Sequence, residues 1–259
     1  MAASSTHPLS LEGRTVLVTG GNGGIGLGMA SACGAAGAQI VIWGRKADKN
    51  AEAVAQLESQ GVTAHSFVCD VASEEETIET FGHSVEVAGG KIDSVFANAG
   101  RGGPGVKFQD MSLQQWRDVM AVNLDGVFLT LRTAAQHMIA TGGGSLVAIS
   151  STSAIHGAAG NEAYGTAKTG LLGLVRALSV GLARHQIRVN AILPGWTITD
   201  LASGGYENDV FRTATTKRTP VRRWADPDEM GAAAVFLADP THTFHTGDHL
   251  TVDGGYTVF

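Results

Sequence analysis

Tyr164 and Lys168 stand four residues apart in the stretch Ser150 to Lys168, SSTSAIHGAAGNEAYGTAK. The apolar row Leu171, Val175, Leu178, Leu182 continues from them at helical spacing, so both side chains leave the face expected to meet a sheet. A lysine without a partner is costly to place there. Its chemistry supplies a reason to keep it. A phenol titrates near ~10 in water. A neighbouring ammonium favours the phenolate and lowers that value. The pair then offers a proton donor and acceptor near neutral pH. The same spacing also fits a core tyrosine and a lysine whose amine reaches back to water.

A second stretch has phosphate chemistry. Thr19-Gly20-Gly21-Asn22-Gly23-Gly24-Ile25-Gly26 follows a short β-branched run and opens a helix. Without side chains the backbone can approach a pyrophosphate, and the helix N-terminus offers free N–H groups and positive dipole. The spacing is G-x-x-x-G-x-G rather than G-x-G-x-x-G. A tight turn that binds nothing is the plain alternative.

The elements that position these stretches alternate from end to end. Strands are expected at Thr15–Thr19, Gln39–Trp43, Ala64–Val68, Ile92–Ala97, Ser145–Ser150, Arg188–Leu193 and His249–Val252. Helices fall between them: from the glycine turn to about Ala36, near Lys49–Ser59, after Ser73, Ser112 to about Ala140, Asn161 to His185, and Asp226 through Leu237. Such alternation implies an α/β chain, a single-domain doubly wound (Rossmann-type) parallel sheet with helices on both faces. Ligands of such sheets bind at the carboxyl ends of the strands. Residues 1–10 read as a flexible N-terminal tail, 11–259 as one catalytic domain, and the polar segment at about 197–223 as a lid.

Composition narrows the class. The chain has 259 residues, 35 of them glycine, and a net charge of −6 with no basic cluster, which argues against nucleic acid or an anionic membrane as partner. No apolar run reaches the length of a membrane span. Cys33 and Cys69 lie in expected buried elements and read as reduced core residues of a cytoplasmic protein. His242, His245 and His249 share a loop and a strand start, too little geometry for zinc, so no metal is expected.

The glycine turn, Asn98-Ala99-Gly100, Asn123, Ser151, Tyr164, Lys168 and Pro194-Gly195, in that order, resemble the short-chain dehydrogenase/reductase family, in its compact branch with a T-G-x-x-x-G-x-G turn and a Y-x-x-x-K pair. The resemblance runs from Leu11 to the end. It implies an NAD(P)-dependent oxidoreductase that moves a hydride between nicotinamide C4 and a secondary alcohol or ketone, often as a homotetramer. It implies a catalytic set of Asn123, Ser151, Tyr164 and Lys168. Tyr164 would be the general acid/base, Ser151 the substrate-orienting hydroxyl, and Lys168 the ribose ligand. Asn123, which interrupts the apolar row Trp116, Met120, Val127, Leu131, would kink its helix and support a proton relay. Coenzyme contacts would come from Gly20, Asn22, Gly24, Ile25, Gly26, Arg45, Lys46, Asp70, Val71, Asn98, Ala99, Gly100, Tyr164, Lys168, Pro194, Gly195, Thr197 and Thr199. Thr197 stands where the family's usual residue is aliphatic.

The second strand ends in Gly44 followed by Arg45 and Lys46, not in the acidic residue that NAD enzymes of this fold carry. Arg45 could pair with a 2′-phosphate. NADP is therefore the expected cofactor and NAD the alternative, since Gly23 occupies a turn position where many NADP members are basic. Ser151, Ser153, His156, Tyr164 and Trp196 are expected to meet a small alcohol or ketone, while Arg218, Arg222 and Arg223 could attract an acidic substrate but read first as salt bridges in the lid or between subunits. Three other functions fit parts of the pattern. A non-catalytic dinucleotide-binding or regulatory protein would keep the fold. A methyltransferase would share the glycine turn but leave Ser151, Tyr164 and Lys168 unexplained. An enoyl-thioester reductase would space its Tyr and Lys more widely.

Overall fold

The protein is described by a computed structural model over residues 9–259. Eight residues of the expected tail lie outside this range. Leu9 is tied down, its amide donating to the Asp239 carboxylate at 2.8 Å.

The elements in chain order are β1 (Thr15–Thr19), α1 (Gly24–Ala35), β2 (Gln39–Gly44), α2 (Ala47–Ser59), β3 (Ala64–Val68), α3 (Glu74–Val87), β4 (Ser94–Ala97), α4 (Leu113–Met120), α5 (Gly126–Thr141), β5 (Gly144–Ile149), α6 (Glu162–Leu182), β6 (Ile187–Pro194), α7 (Ser203–Glu207), α8 (Asp209–Arg218), α9 (Gly231–Ala238) and β7 (His249–Val252). The sheet runs β3-β2-β1-β4-β5-β6-β7, with every pair parallel. Strand order reverses between β1 and β4, which opens a crevice at their carboxyl ends.

Alternation along the strands makes two cores. Leu17, Val95 and Leu146 point to one face, where Leu131, Leu171 and Val175 meet them. Val16, Val18 and Phe96 point to the other, against Met29 of α1 and Leu237 of α9. Tyr164 and Lys168 therefore ride on a helix whose apolar row is packed on the sheet.

Helix starts follow their caps. Ser73 Oγ accepts from Glu76 N, and three glutamates fill the first turn of α3. Ser112 with Gln115, and Asp226 with Glu229, form reciprocal capping boxes. Two expected helices are corrected. The Asp226 helix begins with a 3₁₀ turn, Pro227–Met230, before α9. The long helix from Ser112 is divided by a π turn, Ala121–Asp125. Asn123 is the cause. Its Nδ2 donates to Val119 O at 3.0 Å and to Arg101 O at 2.9 Å, which holds the helix open by one residue.

Candidate functional site

β5 ends at Ile149 and the chain turns through Ser150 and Ser151 toward α6. Ser150 is buried, and its hydroxyl donates to Lys168 O at 2.8 Å. It therefore fastens the strand end to the helix, and Ser151 is the serine left facing Tyr164. Ser151 Oγ also accepts from Ser153 N at 3.1 Å. Lys168 is 3% exposed, and its Nζ donates to Ile149 O at 2.8 Å. That Nζ lies 5.6 Å from the centroid of the Tyr164 ring. Asn123 is fully buried, and besides its two donated bonds its Oδ1 accepts from Arg101 N at 3.2 Å. A Cβ on Gly100 would stand 2.9 Å from Asn123 Oδ1 and 3.7 Å from Lys168 Nζ, so the Asn98-Ala99-Gly100 turn fills the space between them.

The charge states differ from the sequence expectation. Burial lowers Lys168 to about 8. Burial also raises the Tyr164 phenol above its usual value, with the Ser151 hydroxyl acting against it. The expected lowering by Lys168 is absent, for a geometric reason. The ammonium approaches the ring face, and its hydrogen bond goes to a backbone carbonyl.

A groove opens beside this set at the carboxyl ends of β1, β2 and β3. Asn98 N and Ala99 N both donate to Thr19 Oγ1 at 3.0 Å, and Asn98 Nδ2 donates to Thr19 O at 2.9 Å. This ties the end of β4 to the glycine turn. Gly20 has φ +64°, and a Cβ on Gly26 would fall 2.2 Å from Gly20 O, so the turn needs glycine at both places. No side chain caps the N-terminus of α1. A turn of this shape, open at a helix N-terminus, fits a pyrophosphate.

The groove gathers Gly20, Asn22, Arg45, Asp70, Val71, Ala99 and Gly100 from the expected set. It adds Gly44, Cys69 and Val122, each next in sequence to an expected residue, and Trp43, which precedes Gly44. Arg45 and Lys46 are exposed and make no side-chain hydrogen bond or ion pair among the described residues. Lys49, one turn on, pairs with Asp200 at 2.8 Å. Ile25, Thr197, Pro194 and Gly195, also expected, do not line this groove. Ile25 packs on the core beneath the turn. Thr197 is buried, its hydroxyl donating to Gly195 O at 3.1 Å. Pro194 and Gly195 end β6 beside β7, Gly195 N donating to Val252 O at 2.9 Å. Thr199 does reach the glycine turn, 3.1 Å from where a Cβ on Gly24 would stand.

An aromatic cluster gathers residues from the segment after β6 and from the C-terminal segment. Trp196 stacks on Trp224 with centroids 4.9 Å apart and meets the edge of Phe211 at 5.0 Å. Tyr256 touches both Trp196 (6.4 Å) and His156 (5.3 Å), so the C-terminal segment joins two expected substrate residues. Trp196 Nε1 and His156 Nε2 are buried with no partner among the described residues. Phe211 belongs to the expected lid, whereas Trp224 and Tyr256 are not among the residues the sequence singles out. The arginines have partners within the chain: Arg218 lies 4.4 Å above the Tyr256 ring, Arg222 packs on Phe259, and Arg223 pairs with Glu229. Among the described residues no three His, Cys, Asp or Glu converge as a metal site. His242 instead bonds Phe236 O at 2.9 Å, and His245 packs on the Phe236 ring.

A family model described as enoyl-(acyl carrier protein) reductase matches residues 20–257. The sorbose reductase of Schizosaccharomyces pombe is 36% identical, over 97% of this chain and 98% of its own. The 5-keto-D-gluconate 5-reductase of Escherichia coli (strain K12) is 36% identical, over 96% of this chain and 97% of its own. Among solved structures, a gluconate 5-dehydrogenase from Burkholderia cenocepacia J2315 in complex with NADP and tartrate superimposes with a TM-score of 0.92 at 33% identity, covering 97% of this chain and 98% of that one.

Proposed function

The chain belongs to the short-chain dehydrogenase/reductase family, and from that premise we propose Tyr164 as its proton-transferring residue and a polyhydroxylated ketone, or the matching alcohol, as its substrate. The protein is an NAD(P)-dependent oxidoreductase acting between a secondary alcohol and a ketone. The non-catalytic alternative is set aside, because relatives matched along nearly their whole length are named reductases.

One observation carries the assignment of roles: Lys168 and Asn123 flank Gly100 at the groove, and Tyr164 stands beside Lys168 and Ser151. When bound, the nicotinamide supplies the hydride site at C4 and, when oxidised, a positive charge that favours the Tyr164 phenolate. Tyr164 gives its proton to the carbonyl oxygen in reduction and takes it back in oxidation. Ser151 holds that oxygen in line. Lys168 would hold the nicotinamide ribose when the cofactor is bound. Asn123 keeps α4 and α5 apart and anchors Arg101 through two hydrogen bonds. The lid of residues 197–223 would cover the substrate, its Phe211 packing edge-on against Trp196 just before it.

NADP is the preferred cofactor in this reading. The support is the absence of a carboxylate at Gly44, the free Arg45 beside the groove, and the NADP bound by the Burkholderia relative. We read the assembly as a homotetramer, in line with exposed apolar side chains such as Phe128 and Ile139 on α5 and Val180 on α6. A cytoplasmic location agrees with two buried free cysteines, raised by burial to about 12 (Cys33) and about 11 (Cys69). Among the described residues no helix is long and apolar enough to cross a membrane.

Tyr164→Phe should lower kcat/KM for 5-ketogluconate or sorbose reduction about a hundred- to ten-thousandfold, while NADPH still quenches the protein's fluorescence. Near-full turnover in that variant would remove Tyr164 from the chemistry. Turnover of an acetoacetyl thioester with none on polyhydroxy ketones would overturn the substrate class.

A further inference from the structure

Gly44 ends β2 at the place where this type of fold carries the carboxylate that holds the ribose hydroxyls of NAD. The place is filled by other atoms. A Cβ on Gly44 would fall 2.2 Å from Asn22 Nδ2 and 2.3 Å from Asn50 Oδ1. Those two atoms are bonded to each other, Asn22 Nδ2 donating to Asn50 Oδ1 at 2.7 Å. Asn50 is 2% exposed, and its own Nδ2 donates to Gly44 O and to Phe67 O, both at 3.0 Å. It is thereby anchored to the ends of β2 and β3, and its carbonyl fixes the Asn22 amide against the groove. Asn22 Oδ1 accepts nothing from the chain among the described residues, and Asn22, Gly44 and Arg45 line the groove together.

We propose that the Asn22–Asn50 amide pair determines which adenosine ribose this groove accepts. It occupies the carboxylate's position with uncharged groups, so a 2′-phosphate meets no like charge, and Arg45 is left as the group that attracts it. Asn22 touches the ligand; Asn50 is a positioning residue that acts through it. The inference rests on the cofactor groove assigned above and adds the device that sets its selectivity. A carboxylate beside a phosphate repels it across a few ångströms. A neutral amide does not, and its free oxygen can still accept from a 2′-hydroxyl, which keeps NAD as the weaker ligand.

The geometry makes an unusual demand on cofactor conversion. Gly44→Asp by itself cannot deliver a carboxylate to the ribose, because the new Cβ needs the space that the amide pair holds. Asn22→Asp delivers the charge without moving the strand.

The test is equilibrium binding of NADPH and NADH, and of the fragments 2′-phosphoadenosine 5′-phosphate and 5′-AMP, read by quenching of tryptophan fluorescence. Trp43 lines the groove and serves as reporter. Asn22→Asp should weaken NADPH and the 2′-phosphorylated fragment about tenfold or more relative to NADH and 5′-AMP, the size expected of one like charge near a partly exposed site. A merely structural role would weaken all four alike. Gly44→Asp should lower the melting temperature without yielding NADH preference, whereas Gly44→Asp with Asn22→Gly should restore folding and favour NADH. Asn50→Ala by itself releases the Asn22 amide, so its oxygen is no longer aimed at a 2′-hydroxyl, and NADH and 5′-AMP should weaken about threefold or more relative to NADPH, whereas a merely structural Asn50 would weaken all ligands alike. An unchanged NADPH-to-NADH ratio in Asn22→Asp and in the double variant overturns the inference while leaving the cofactor groove intact. A wild-type protein that binds neither dinucleotide overturns the groove assignment itself, and this inference with it.

Discussion

Two cations are buried at opposite ends of the sheet, and they are held in opposite ways. Arg188, at the amino end of β6, is 7% exposed; its Nη2 donates to Leu237 O at 2.9 Å and to Asp239 O at 3.0 Å. The Asp239 carboxylate adds an opposing charge, and it is itself bonded to the amides of Leu9 and Thr241, both at 2.8 Å. Lys168, at the carboxyl end of β5, has one backbone carbonyl and no carboxylate. The chemistry follows from the difference. A buried cation with a counter-charge is structural. A buried cation without one is destabilised in its charged form and is ready to interact with whatever enters the groove.

Replacing the two cations tests that contrast most strongly. Lys168→Met should cut kcat/KM about a hundredfold or more while the fold survives. Its stability carries a pH signature. The folded-state value of about 8 against an ordinary 10.5 is worth roughly 3 kcal/mol. Because a base is lowered, the penalty on wild type is full below pH 8 and is relieved as pH rises toward 10.5. The Met variant should therefore gain relative to wild type at pH 7 and lose that gain at pH 10, as read by urea unfolding at both. An equal difference at the two pH values would mean that the cation is not the source. Arg188→Met should do the reverse. It leaves the buried Leu237 and Asp239 carbonyls without their charged donor, costing about 3 kcal/mol, with kcat/KM within about twofold of wild type when assayed well below the melting temperature. Loss of activity without loss of stability would break the comparison.

The smallest effect separates two adjacent serines. Ser150→Ala removes the bond to Lys168 O and should cost about 1 kcal/mol of stability with turnover nearly kept. Ser151→Ala should leave the melting temperature unchanged and lower kcat/KM instead. If both variants lose turnover alike, Ser150 reaches the chemistry through the position of Lys168.

Part of this site can be read before any folding. The four-residue spacing of Tyr164 and Lys168, continued by Leu171 and Val175, puts both on the packed face, and helical geometry leaves no other outcome. Asn123 stands out because it interrupts an apolar row. The π turn it creates does not, because its partner Arg101 lies on the loop after β4. Ser150 and Ser151 are alike in the chain, and the end of β5 decides which one turns inward. Trp196, Trp224, Phe211 and Tyr256 are spread over sixty positions and meet only when β6, the lid and the C-terminal turn come together.

The sequence alone determined the alternation of strands and helices, the faces they bury, the glycine turn at the first helix and the family these make together, because each depends on residues a few positions apart. The tertiary structure alone decided the direction in which Tyr164 titrates, the lone carbonyl that holds Lys168 and the amide pair that fills the space beside Gly44. Desolvation and steric exclusion depend on which distant segment packs against a group, and no local spacing encodes that.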